Sequence, residues 1–249
     1  MKRSVGKIAL LALMALLVLT EGRAAALSQG EAAETARLLA ALLDAGRLVI
    51  DRNQSLIDDQ HRGDKGFTPS AFEKQLNEEF LARTGVDLGR LPDAGVPAPA
   101  RDLLAALVLA SKEVVGDAQL VINQRGIGYK NFIPATFGSQ AATRFSSRSQ
   151  VRLKQTALQP RNDKNQPDRY EAAVLRRLAA QSTKVAPQSE ITEEGTMLRV
   201  LTPIYYTKDC LKCHGGPAGE LDISGYPKEG AQEGDLAGAI SVSIPLGTR

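Results

Sequence analysis

Residues 236–246 read Leu-Ala-Gly-Ala-Ile-Ser-Val-Ser-Ile-Pro-Leu, an apolar run of strand length that stops three residues before the chain does. Two further strands are expected near 185–192 and 196–206, and Val151-Arg-Leu-Lys-Gln-Thr alternates like a fourth. Ahead of these the pattern is helical. Leu39, Leu43, Ile50 and Ile57 recur at spacings of four and seven, which predicts a long N-terminal helix from 29 to about 60. Thr68-Pro69 opens a second helix with Pro at its first position, Phe72, Leu76 and Phe80 at spacing four, and Gly85 as its stop. Pro92, Pro97 and Pro99 with Gly89 and Gly95 predict a loop over 86–100, followed by a helix from about Arg101 to Gln124 that Gly126 closes. Ile133-Pro134 starts a short helix to about Phe145, and Pro167-Asp168 leads into one carrying Tyr170, Val174, Leu175 and Leu178. A helical front half and a strand-rich back half predict an α+β fold with an antiparallel sheet.

Composition bounds the function classes. A chain of 249 residues with 43% hydrophobic and 24% charged residues has enough apolar mass for a core, which excludes wholesale disorder. Two cysteines exclude a disulfide framework, and two histidines exclude a His-rich metal cluster. The net charge of +3 is concentrated at the start of the chain. Lys2, Arg3 and Lys7 precede an apolar run from Ile8 to Leu19, and the small residues Ala24-Ala25-Ala26 follow, the layout of a secretory signal peptide over 1–26 cut after Ala26. Twelve apolar residues make a helix of about 18 Å, short of the roughly 30 Å needed for a permanent anchor. That leader holds four of the 31 basic and one of the 28 acidic residues, so residues 27–249 carry equal numbers of each. No nucleic-acid partner and no stable membrane anchor are expected for this single domain, and export points to the periplasm.

One motif carries chemistry. Cys210-Leu211-Lys212-Cys213-His214 is the C-x-x-C-H signature of covalent haem attachment. Two thiols three positions apart can add to the two vinyl groups on one side of a porphyrin, and the next residue can place its imidazole on the iron. Attachment needs export and reduced thiols, which agrees with the leader. Competing uses of the cysteines fit less well. A thioredoxin-like pair opens a helix, whereas Gly215-Gly216-Pro217 follows here; a structural zinc site needs further ligands, for which His61 and the acids are the supply. The distal iron ligand stays open between His61, in the polar stretch Asp58–Asp64, Met197, in the strand Thr196-Met-Leu-Arg-Val-Leu, a lysine, and an exchangeable site. Two strong ligands favour electron transfer, and an open position favours binding of a gas or small redox molecule.

Several segments in order carry a family resemblance. They are Gly63-Asp-Lys-Gly-Phe-Thr-Pro69, Gly128-Tyr-Lys-Asn-Phe-Ile-Pro-Ala-Thr-Phe-Gly138, Arg161-Asn-Asp-Lys-Asn-Gln-Pro-Asp-Arg-Tyr-Glu171, Pro203-Ile-Tyr, Cys210 to Gly215, and Gly234-Asp-Leu-Ala-Gly-Ala-Ile-Ser-Val242. The chain resembles periplasmic c-type haem proteins with a PAS-like fold, long described as a domain of unknown function, which occur free and as the sensory part of bacterial receptors and histidine kinases. The resemblance implies a PAS-like antiparallel sheet with flanking helices, one covalent haem (heme c) and His214 as proximal ligand. It also implies that Phe132, Ile133 and Pro134 lie near the haem, ordinary core packing being the competing reading. Arg161 is read either as a contact of a haem propionate or as a cap of the following helix. Some relatives use a cysteine on the first long helix as distal ligand; this sequence has none there.

The expected function is therefore a soluble periplasmic haem protein in electron transfer or in redox or small-ligand sensing, with a redox or signalling protein as partner and no substrate turned over. The chain ends at Arg249 directly after its last strand, which favours a free haem protein or a partner-dependent sensor over a self-contained receptor. The enzyme alternative is a peroxidase-like site, which needs a distal acid-base group such as His61 or Arg47. The non-haem alternative is a thiol–disulfide protein.

Overall fold

The computed structural model describes residues 27–181, 183–192 and 195–246. The expected leader lies outside them.

The run that ends the chain is the centre of the sheet. Strand β4 (Leu236–Pro245) pairs antiparallel with β1 (Arg152–Thr156) on one side and β3 (Met197–Tyr205) on the other, and β2 (Gln188–Thr192) completes the order β1-β4-β3-β2. Its alternation is visible in the packing: Ile240, Val242 and Ile244 enter the main core, while Ala239 joins a smaller cluster on the opposite face. In register, Ile240 lies between Gln155 and Thr202.

Helices α1 (Gln29–Arg52), α3 (Pro69–Thr84), α4 (Ala98–Asp117) and α6 (Pro134–Ser146) supply the main core, and α7 (Arg169–Ala179) packs Val174, Leu175 and Leu178 against Leu201 and Ala239. The α+β class, the antiparallel sheet and the long N-terminal helix are as the sequence predicts. So are the Thr68 cap, the left-handed Gly85 and the start of α6 at Pro134. The Asp168 carboxylate closes a capping box with Glu171 at the head of α7.

Three segments differ. The first helix breaks at Asn53, whose side-chain amide donates to the Val49 carbonyl (2.7 Å) and to Gln75 (2.8 Å), and a single turn, α2 (Gln54–Ile57), continues beyond it. Within the expected loop, Leu88–Asp93 forms a 3-10 helix, its first turn capped by Asp87. Helix α4 begins at Ala98 rather than Arg101, because Pro99 fits the first turn of a helix. It ends at Asp117, and a separate turn, α5 (Gln119–Ile122), covers the rest of the predicted length.

Close packing of α1 on α6 depends on Gly46. A Cβ there would lie 2.7 Å from the Phe137 ring, which is itself fully buried against Phe72 at 5.2 Å. Alanine is the better helix former by about 1 kcal/mol, but overpacking a filled core costs about 1–3 kcal/mol. Gly46→Ala is therefore expected to lower the melting temperature by a few degrees, and an unchanged or raised value in thermal unfolding would contradict this packing.

Candidate functional site

The site is built from the excursion that joins β3 to β4. Strand β3 delivers Tyr205 and Tyr206, and the Tyr206 backbone exchanges hydrogen bonds with Gly234 and Asp235 at the far end of the excursion (2.9 Å each). Between these points the chain makes one helical turn, α8 (Leu211–His214). Cys210 and His214 close that turn through His214 N–H to Cys210 C=O at 3.0 Å. Gly215 ends it, since a Cβ there would lie 2.6 Å from the Leu211 carbonyl oxygen. The glycines after His214 thus terminate a turn, which is why they looked wrong as the opening of a helix. Gly230 and Ala231 then return to donate to the carbonyls of Gly215 and His214 at 3.2 and 2.9 Å. Residues 219–228 fold back on themselves as a short hairpin, with Gly219 and Lys228 and then Lys228 and Glu220 paired through their backbones.

This folding places two acids that the sequence reading missed. Glu229 Oε2 lies 2.8 Å from His214 Nδ1. Among the described residues nothing hydrogen-bonds His214 Nε2, and the imidazole stays about one-third exposed. The Tyr206 ring packs at 5.0 Å from the imidazole, tilted by 35°. Burial, reinforced by the Glu229 charge, pushes the Tyr206 hydroxyl up to about 12. Both cysteines are free thiols and partly exposed, with Thr207 Oγ1 at 3.2 Å from Cys210 Sγ. Burial, and then the Asp222 charge, raises the Cys213 thiol above its ordinary range.

Arg161 is the brace of the excursion. It donates from Nε to Glu229 Oε1 (2.8 Å), from Nη1 to Asp222 Oδ2 (2.6 Å), and from Nη2 to Glu229 Oε2 (3.0 Å) and to the Cys213 carbonyl (2.9 Å). The Asp222 side chain is completely buried. Its other oxygen accepts from the Ser224 hydroxyl and from the backbone N–H groups of Ser224 and Tyr226. Burial alone would raise this carboxyl, but the bonds from Ser224, Arg161 and Tyr226 outweigh it and hold it far below the usual carboxylate range. The following helical turns are capped by Asn162 and Asp168, so the reading of Arg161 as a cap does not hold.

The other candidates are placed as follows. Phe132 is buried in the main core, and Ile133 and Pro134 form the cap and first residue of α6. Their segment approaches the excursion at Tyr129, whose hydroxyl donates to Asn131 Oδ1 (3.2 Å) and is pushed up by burial, with the charges of Cys213 and Asp222 adding to the shift. Asp51, in the last turn of α1, is pushed up by burial and then by the Asp209 charge, with Arg47 and Lys212 opposing. Arg47, one turn earlier, pairs with Asp44 (2.6 Å) and packs its chain beside Gly138 of α6, while its buried Nε has no partner. His61 is exposed in the loop after α2, its backbone N–H on Asp59 Oδ1 at 2.8 Å. Met197 opens β3 and lies about 26 Å along that strand from Tyr205, at 3.3 Å per residue. Met197 thus sits at the end of its strand away from the excursion. No group of three or more His, Cys, Asp or Glu able to hold a metal ion exists among the described residues. No described helix is long and apolar enough to cross a membrane.

Among solved structures the chain is similar to the cyanobacterial heme-protein Tll0287, at 19% identity over 61% of this chain and 98% of that one, with a TM-score of 0.40. No curated protein matches. A family model described as Tll0287-like matches residues 25–245, nearly the whole sequence. The chain belongs to the Tll0287-like family.

Proposed function

We propose that this chain is a c-type haem protein of the periplasm, holding one haem on Cys210, Cys213 and His214 and serving one-electron transfer or redox or small-ligand sensing with a protein partner. The observation that carries it is the state of His214: Nδ1 is engaged by Glu229, and Nε2, on the same turn as two free thiols, has no partner among the described residues. A ring nitrogen oriented by a carboxylate on its other side is the arrangement of a metal-ligating histidine. The protein after which the family is named is a heme-protein, which agrees.

The donor set fits the group. Each thiol would add across one vinyl double bond, its sulfur bonding one carbon and its hydrogen going to the other, with no net oxidation. His214 Nε2 would ligate the iron, and the iron would supply reversible one-electron chemistry. Glu229, Arg161 and the backbone bonds from Gly230 and Ala231 fix the imidazole and the turn that carries it. The glycines that end the turn at Gly215 speak against the thiol–disulfide alternative, whose cysteine pair opens a longer helix.

Maturation of the full chain in a host with cytochrome c assembly machinery tests this. Haem is expected to stay on the polypeptide through denaturing electrophoresis and to be lost when Cys210 and Cys213 are both changed to serine. A colourless wild-type band under those conditions sinks the proposal. Adding carbon monoxide to the reduced holoprotein separates the two roles: a shifted spectrum means an exchangeable distal position and sensing, an unshifted one means electron transfer.

A further inference from the structure

We infer that Glu229 is a positioning residue that sets the reduction potential of the site through His214. The inference rests on the haem reading above and deepens it. The motif itself says nothing about what lies behind the histidine, and Glu229 is fifteen residues away in sequence. The backbone bonds of Gly230 and Ala231 to Gly215 and His214 carry it back to the imidazole.

Three observations converge. The 2.8 Å contact between Nδ1 and Glu229 Oε2 puts the proton of the neutral ring on Nδ1 and the lone pair on Nε2. The carboxylate is fixed rather than mobile, because Arg161 holds both of its oxygens at 2.8 and 3.0 Å while anchoring to buried Asp222 and to the Cys213 carbonyl. The Tyr206 ring stands at 5.0 Å and limits rotation of the imidazole. An imidazole that donates to a fixed carboxylate is more basic and a stronger electron donor, and a stronger donor favours the oxidised over the reduced state of a metal it ligates. The electron comes from and returns to an external one-electron partner, so Glu229 shifts the equilibrium without taking part in the transfer. Arg161 moderates the effect by sharing Oε2, which keeps the carboxylate from drawing the ring proton fully away.

The test is a redox titration of the matured holoprotein carrying Glu229→Gln, Glu229→Asp or Glu220→Gln. Glu229→Gln keeps the shape of the side chain but removes its charge, and is expected to shift the potential to more positive values. Glu229→Asp keeps the charge and is expected to fall between that variant and the wild type. Glu220→Gln removes one carboxylate from the same hairpin, where Glu220 pairs with Lys228 at 3.4 Å and does not touch His214, and is expected to leave the potential near wild type. A second readout is nitrogen NMR of the His214 ring in the unloaded protein, where the Nδ1–H form is expected in the wild type and a mixture of tautomers in Glu229→Gln. If Glu229→Gln retains covalent haem but does not move the potential, or if Glu220→Gln moves it equally, the inference is overturned while the haem reading stands. Absence of covalent haem from the wild type overturns the haem reading instead.

Discussion

Arg161→Ala is expected to open the segment Gly215–Gly234 while leaving the helical core folded. The substitution strands Asp222, whose side chain is wholly buried and whose Oδ2 has Arg161 as its cation at 2.6 Å. Removing one partner of a buried ion pair destabilises by about 3–5 kcal/mol, because the remaining charge is left uncompensated. Its bonds to both oxygens of Glu229 and to the Cys213 carbonyl go with it. At 1.4 kcal/mol per decade, hydrogen exchange or proteolysis of that segment should accelerate by at least about 100-fold. Arg161→Lys should restore little, since an ammonium cannot reach two carboxylates and a carbonyl from one planar fork. Acid should act on the same brace. The Asp222 carboxyl is held below its unfolded value, so its contribution is fully present above the ordinary carboxylate range and declines as pH falls below about 4. Protection of the segment should therefore be flat between pH 5 and 8 in the wild type and fall below that window. In Arg161→Ala the fall should be shallower. Unchanged protection in the variant at neutral pH would show that the brace does not hold the loop.

The second large effect is expected at Gly238. Pairing of β3 with β4 shifts between Ile204, opposite Gly238, and Tyr205, opposite Leu236, which leaves Ala237 as the extra residue of a bulge. Gly238 has φ of +153°, and a Cβ on it would lie 2.4 Å from the Thr156 carbonyl oxygen, a backbone atom of neighbouring β1. Neither the dihedral nor the contact can relax by a rotamer change. Gly238→Ala should cost about 3 kcal/mol or more, summing backbone strain and overpacking. It should also reach the site, because the bulge directs the chain from β3 to Tyr206 and so to the ring that faces His214. Thermal unfolding and haem content measured together check both parts. A variant with wild-type melting and full haem loading would refute the role given to the bulge.

What the sequence made legible is what local spacing encodes. Leu39, Leu43 and Ile50 all lie in the core, and the apolar run 236–246 forms the strand expected of it. Cys210, Cys213 and His214 are legible because their relation is contained in five consecutive residues. Asn53 broke the first helix because a side-chain amide competing for the Val49 carbonyl leaves the apolar spacing on either side intact. Glu229 and Asp222 were hidden for a different reason: their partners lie 15 to 68 residues away, across a stretch with neither helical nor strand periodicity. One cue was present. Asp222-Ile-Ser-Gly225 has the composition of a turn closed by an aspartate side chain, and the structure shows such bonds from Ser224 and Tyr226. Arg161, expected as a propionate contact or a helix cap, has carboxylates and a carbonyl as its binding partners in this structure, none of them adjacent in sequence.

The excursion that bears the cysteines leaves and re-enters the sheet between neighbouring strands, with Tyr206 bonded to both Gly234 and Asp235 at its neck. Topologically it is one oversized hairpin turn, so the scaffold closes without it. Residues 207–233 can consequently change length and chemistry over evolutionary time without rewiring the strand order. The same neck makes the segment a candidate for transplantation: grafted between two adjacent antiparallel strands of another protein, together with an arginine to meet Asp222 and Glu229, it carries its own means of staying folded.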